Sequence, residues 1–293
     1  MKSKSRIGAS AGFLALLLMV SLVFAQGDTT RPAPAASLNA PPGSLAAPTG
    51  MVQIRGGSFL MGCVAADDQC RPDEKPAHRV TVGGFWLDEH AVTVAEYQEC
   101  VRDLVCNIPN GSGELFNWEK YGRDNYPVNG VDWNDAESFC RWSGNRLPTE
   151  AEYEYVLRGN LNDTIYPWGD GATPPANFGN YADESAKRVY PEWRIFDDYD
   201  DGYVGTSPVC SFARNAFGLC DISGNVWEWT ADWYGKYYYA AAPAANPPGP
   251  DAGLMRVLRG GSWHEPPVED RASQRYALPP WDGTEAIGFR CAR

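Results

Sequence analysis

A chain of 293 residues that is 44% hydrophobic has enough apolar side chains for a core, in one large domain or two small ones. Its 37 acidic residues outnumber 25 basic ones, for a formal net charge of −12. Nucleic-acid binding draws on clustered Lys and Arg that displace counterions from phosphates, so this balance excludes nucleic acid as an expected partner.

The amino-terminal segment has the layout of an export signal. Lys2, Lys4 and Arg6 form a basic stretch, Ala11 to Phe24 an apolar one, and Val23-Phe24-Ala25 puts a small residue before Gln26. The apolar run is short for a bilayer span of roughly 20 residues. Residues 1–25 are therefore expected to be a cleaved signal peptide, leaving no stable membrane span, and the mature protein is expected to be periplasmic or secreted. Loss of three basic residues would take the net charge to −15. No cysteine stands at the cut, which argues against a lipid anchor. Residues 26–50, with Pro32, Pro34, Pro41, Pro42 and Pro48 among Ala, Ser, Thr and Gly, cannot bury enough apolar surface to offset their ordering entropy. They read as a flexible linker, and residues 51–293, which no second linker interrupts, as one domain.

Within the domain, Met51 to Met61 alternates as a strand would, and His78 to Val82 with Phe85-Trp86-Leu87 marks a second strand region. Three capping boxes announce short helices: Thr93 with Glu96, Asn134 with Glu137, and Thr149 with Glu152. Pro148 discourages the third helix from starting earlier. Beyond Tyr166-Pro167-Trp168 no further helix is expected, and Gly, Pro, Asn and Asp up to Val209 imply ordered loops whose backbone groups need partners. Eight cysteines in an exported chain imply a disulfide framework. Cys63 with Cys70, Cys100 with Cys106, and Cys210 with Cys220 are close in sequence, and Cys140 and Cys291 remain, but spacing alone leaves the connectivity open.

Three strings in the last third carry the most information. Gly224-Asn225-Val226-Trp227-Glu228-Trp229-Thr230, Arg256-Val257-Leu258-Arg259-Gly260-Gly261-Ser262-Trp263 and Gly288-Phe289-Arg290-Cys291 follow one another in order. Earlier come Gly56-Gly57-Ser58-Phe59-Leu60-Met61-Gly62, Val131-Asp132-Trp133-Asn134-Asp135-Ala136 and Arg146-Leu147-Pro148-Thr149-Glu150-Ala151-Glu152. Together they resemble the formylglycine-generating-enzyme, or sulfatase-modifying-factor, family over nearly all of residues 51–293. The resemblance implies a loop-rich α+β domain of C-type lectin-like fold. It also implies a Cys140–Cys291 bridge, because family members pair a cysteine before Arg-Leu-Pro-Thr-Glu with the one ending Gly-Phe-Arg-Cys.

The same resemblance implies structural calcium. One set of ligands maps onto Asp221, the carbonyls of Gly224 and Val226, and Glu228, hard oxygen donors of the kind calcium requires. A second maps onto Asn180, the carbonyl of Tyr181, Asp201 and the carbonyl of Tyr203, with Asn177 a rival for Asn180. Asp197, Asp198, Asp200 and Asp201 repel one another unless a cation relieves them, the alternative being a solvated acidic loop.

At the family's catalytic position the sequence departs. Two copper-binding cysteines follow Gly-Gly-Ser in the oxidases, and here they fall on Glu265 and Asp270, or on Pro267 in the register counted back from Arg271 and Arg275. No thiol is present in either register, Ala286 stands where the oxidases have Asn, and soft copper(I) needs thiolates. No copper is expected, so copper-dependent formylglycine formation is not the expected reaction. The pocket lining implied by the resemblance is Ser262, Trp227, Trp263, His264, Glu265, Arg271 and Arg275. A Glu at the first cysteine position is similar to family members that oxidise other substrates, and Glu265 would serve as a general base in an apolar, Trp-rich surround. Its other role would be as an ion-pair partner of Arg271 or Arg275. His264, Glu265, Glu269 and Asp270 are also ligand types for a metal, although the chain has only 3 His. No Gly-x-Ser-x-Gly elbow, P-loop or dinucleotide fingerprint occurs in residues 51–293.

Two functions are compatible with this pattern. One is an exported, copper-independent, oxidoreductase-like modifier of a peptide-derived or protein substrate in the cell envelope, using Glu265 with Ser262 and His264. The other is a non-catalytic module on the same fold that binds a ligand or envelope protein, for which Tyr and Trp supply rigid contact area. Fold alone does not choose between them.

Overall fold

The computed structural model describes residues 48–161 and 163–293, so the expected signal peptide and nearly all of the expected linker lie outside the described residues. The stretch read as one strand forms two, β1 (Met51–Ile54) and β2 (Gly57–Met61). Gly56 separates them, and a Cβ there would lie 2.5 Å from the Val82 carbonyl oxygen. β2 pairs antiparallel with β3 (His78–Val82) and β1 with β4 (Phe85–Asp88). Alternation then buries Phe59, Met61, Val80 and Val82 on one face.

Of the four described helices, two start where their capping boxes predict. Thr93 Oγ1 accepts from Glu96 N and Glu96 Oε2 from Thr93 N, opening α1 (Val94–Arg102). Thr149 and Glu152 do the same for α3 (Glu150–Arg158). α2 (Trp133–Trp142) differs from expectation: Asp132, not Asn134, caps it, accepting from Asp135 N at 2.8 Å. Asn134 instead donates to the Pro280 carbonyl, and Glu137 pairs with Arg141. α4 (Glu184–Val189) was not expected, yet Asp183 caps it by accepting from Ser185 N and Ala186 N.

The main sheet has the order β7-β6-β5-β8, formed by Tyr276–Leu278, Arg256–Arg259, Trp227–Trp233 and Ile287–Gly288. β8 runs parallel to β5, and the chain after it threads the interior. Phe289 accepts from Val92 N, Cys291 from Asp88 N, and Arg293 exchanges bonds with Trp86. Trp227, Trp229 and Phe289 pack there with Tyr97 and Phe139 of the first two helices. All four disulfides are formed, Cys63–Cys70, Cys100–Cys106, Cys210–Cys220 and Cys140–Cys291, the last spanning 151 residues. Thiol titration of the denatured, unreduced protein should therefore find no reactive group; two or more per chain would contradict this pairing.

Burial also sets acidity. Asp88 is pushed up to about 7 by burial, which outweighs its bond from Cys291 N, the Arg290 charge and His90; Glu96 adds repulsion. A raised carboxyl adds stability that is complete below its unfolded pKa, near 4, and is lost as pH climbs through about 7. Asp88→Asn keeps an acceptor for Cys291 N. It should match wild type at pH 4 and exceed it by roughly 1–3 kcal/mol at pH 8. Urea titrations at the two pH values check this, and a variant curve parallel to wild type at both refutes it.

Candidate functional site

A glycine turn after β6 builds the site. Gly260 and Gly261 have φ of 103° and 77°, and a Cβ on Gly261 would lie 1.8 Å from an Asp270 carboxyl oxygen. Glycine at 261 is what lets the turn close over Asp270. Ser262, next in the chain, is buried, and its Oγ lies 3.1 Å from His264 Nδ1. His264 Nε2 is 3.8 Å from Glu265 Oε1, which accepts from Trp227 Nε1 at 3.1 Å.

This chain of polar atoms is buried at both ends, Ser262 and Trp227, and reaches solvent through its middle. The His264 and Glu265 side chains are 33% and 23% exposed, so both are open to a ligand yet mostly enclosed. Aromatic rings supply the walls: Trp263 packs 4.8 Å from the His264 ring, Trp193 6.0 Å from it, and Tyr276 5.5 Å from Trp227. Beneath lies the 3-10 turn Pro267–Asp270. Asp270 is buried with no hydrogen-bond partner at either carboxyl oxygen, and burial, reinforced by Glu265 and Glu269 against the Ser262 backbone, raises it well above the usual carboxyl range. Burial also raises Glu269, which takes Arg71 and Gln274 as partners. The site therefore offers a carboxyl in reach of solvent backed by a buried carboxyl of raised pKa. His264, Glu265, Glu269 and Asp270 do not converge as a metal-ligand set among the described residues.

Two residues expected in the pocket wall sit elsewhere. Arg271 is wholly buried, 2.7 Å from both Asp67 and Glu74, and Arg275 is paired with Glu150 through Nε and Nη2 at 2.6 and 2.8 Å. They are structural ion pairs behind the site, because the segment Asp67–Glu74 and α3 bring carboxylates that a short motif does not reveal. Glu265 consequently pairs with neither arginine. Trp193 and Tyr276 were missed, and only the general abundance of aromatics pointed to them.

The oxygen-rich loops also take definite form. Asn180 is buried with Oδ1 unpartnered, whereas Asn177 is exposed. Asp201 accepts from Tyr181 N and Tyr203 N, and burial pushes it up to about 7. Two of the three other acids of its loop meet cationic side chains: Arg188 pairs with Asp200 and Lys187 lies 3.9 Å from Asp197. Cationic side chains thus meet part of the repulsion that argued for an ion, and the orphaned Asn180 oxygen with half-buried Asp201 suits one. Asp221 likewise has a buried, unpartnered Oδ1 and is raised to about 6 by burial. Glu228 is different. Both its oxygens accept from Arg290 at 2.7 Å, so its charge is already met.

The architecture and this site define a loop-rich α+β domain of C-type lectin-like fold. The sulfatase-modifying factor enzyme 1-like domain matches residues 39–293, reaching back into the stretch read as linker. The chain belongs to the sulfatase-modifying-factor family. It is 35% identical to the formylglycine-generating enzyme of Streptomyces coelicolor over 305 aligned positions, covering 89% of this chain and 95% of that one. It is 33% identical to the inactive C-alpha-formylglycine-generating enzyme 2 of Mus musculus, covering 83% and 85%. Among solved structures, PvdO from Pseudomonas aeruginosa superposes with a TM-score of 0.69 at 30% identity, covering 83% and 93%.

Proposed function

We propose that the protein is an exported, copper-independent modifier of a peptide-derived or protein substrate, acting in the cell envelope through Glu265. The observation that carries this reading is the placement of Glu265: half-enclosed by aromatic rings, held by Trp227 Nε1, and backed by buried Asp270. A carboxylate so placed takes a proton from a bound substrate, while Ser262 and His264 orient the donor. The resulting anion then loses hydride to an external hydride acceptor of the quinone or flavin class, so that proton and hydride together remove two hydrogens. Comparative mass spectrometry of exported peptides and metabolites, with and without the protein, tests it. A precursor two hydrogens heavier than the mature species should accumulate without the protein. If small molecules and peptides are identical in both, the binding reading gains, which the aromatic walls of Trp193, Trp263 and Tyr276 favour.

Calcium belongs to the same proposal as a structural ion. Asn180 and Asp201 with the carbonyls of Tyr181 and Tyr203 would hold one, and Asp221 with the carbonyls of Gly224 and Val226 a second beside Glu228. When bound, the ion would supply positive charge to carboxyls whose ionisation burial opposes. An ion present at 100 times its dissociation constant adds about 2.7 kcal/mol. Chelation should therefore lower Tm, and Asn180→Ala should reduce that response by the share of the first ion. Glu228 variants cannot test this, because they strand Arg290 with or without calcium. An unchanged Tm in chelator would remove the ion from the account.

A further inference from the structure

Arg256 opens β6 opposite Trp233 of β5. Its guanidinium is clamped between two indoles, 3.6 Å from the Trp133 ring centre and 3.5 Å from that of Trp233. Nη1 donates to the Ala231 carbonyl at 2.7 Å, while Nε is buried with no acceptor among the described residues. The fully buried arginines Arg158, Arg259, Arg271, Arg275 and Arg290 each have a carboxylate partner, and Arg256 has none among the described residues. The acidic groups nearest it are Glu137 and Asp232. Glu137 is taken by Arg141 at 2.9 Å, and Asp232, pushed up to about 8 by burial, is mainly neutral at pH 7. Arg256, lowered only to about 10, stays charged.

A partly buried, unpaired cation is costly, and stacking on two rings returns only about 2 kcal/mol. In front of it lies a cavity of about 320 Å³, lined also by Arg141, Arg146, Asn145, Thr149 and Leu147. Arg146 is closed by Glu152, through two contacts of 2.7 Å, as Arg141 is by Glu137. One positive charge is left over, which matches one negative charge. Indoles cover both faces of the guanidinium, so a ligand meets its edge, and a planar carboxylate is the anion that fits an arginine edge.

We propose that this cavity binds a small organic carboxylate, its charge against the edge of Arg256 and its apolar body against Trp133 and Leu147. None of the Ser262–Glu265 site takes part. Calorimetric titration of the intact protein at pH 7 tests this with sodium benzoate, with N-acetyl-Ala-Phe and with that dipeptide's C-terminal amide. Saturable binding of benzoate or the free-acid peptide, but not the amide, is expected, and whichever acid binds more tightly identifies a metabolite or a peptide terminus as the source. Arg256→Gln should weaken it at least tenfold, and Arg214→Gln, an exposed arginine paired with Glu89, should leave it unchanged. Absence of saturable binding by either acid, equal binding by Arg256→Gln, or tighter binding of inorganic phosphate overturns the proposal. If Arg256→Gln does not fold, the assigned Nε–H resonance of Arg256 in wild type decides: a saturable shift with benzoate supports the site, and a static signal rejects it.

Discussion

Arg290→Met is expected to destabilise the protein by about 3–5 kcal/mol, because it leaves a buried carboxylate without its cation. Arg290 is completely enclosed. Its Nε and Nη2 donate to Glu228 at 2.7 Å, and the rest of the fork reaches the carbonyls of Asp88, Glu89, Cys220 and Asp221. One side chain thus joins β5 to the end of β4 and to the Cys210–Cys220 loop. Removing both charges should cost less than removing one, since an apolar pair of similar volume avoids desolvation. Arg290→Met with Glu228→Leu is therefore expected to recover part of the loss. Urea denaturation of wild type, both single variants and the double variant closes the cycle. A single variant within 1 kcal/mol of wild type would show that the pair is not what the core depends on.

Glu265→Gln is expected to reduce turnover by roughly 10²-fold or more while leaving the fold intact. Gln keeps the acceptor for Trp227 Nε1 and the shape of the side chain, and removes only the capacity to take a proton. A drop in kcat with binding preserved assigns the proton step to Glu265. If a substrate is identified and the Gln variant processes it at the wild-type rate, the chemistry lies elsewhere.

The chain was legible where chemistry is local. Capping by Thr93 and Thr149 follows from side chains three residues apart, and the order of short strings from Gly56 to Cys291 was enough to indicate the family and its long-range bridge. Asp132 as a cap was hidden because two neighbouring polar residues compete for one role, and backbone geometry decides. α4 was hidden among loop residues because its six residues give too few turns for a periodic signal. At the site, Ser262, His264, Glu265, Trp227 and Trp263 come together as the strings suggested. Arg271 and Arg275 could not be separated from them in one dimension. Their partners, Asp67, Glu74 and Glu150, stand well over a hundred residues away, and a buried charge is assigned by whichever carboxylate the fold delivers.

The segment from Ile287 to Arg293 fills the middle of the molecule although it comes late in the chain. It supplies β8, the second half of the longest disulfide, Arg290, and backbone partners for Trp86, Asp88, Val92 and Arg146. Everything synthesised before it has a groove where this segment belongs. Until it docks, β5 lacks its parallel neighbour and Glu228 its cation, although β5, β6 and β7 can already pair. The Cys140–Cys291 bridge and the Glu228–Arg290 pair therefore close together, so disulfide formation and docking of this segment are expected to be one event.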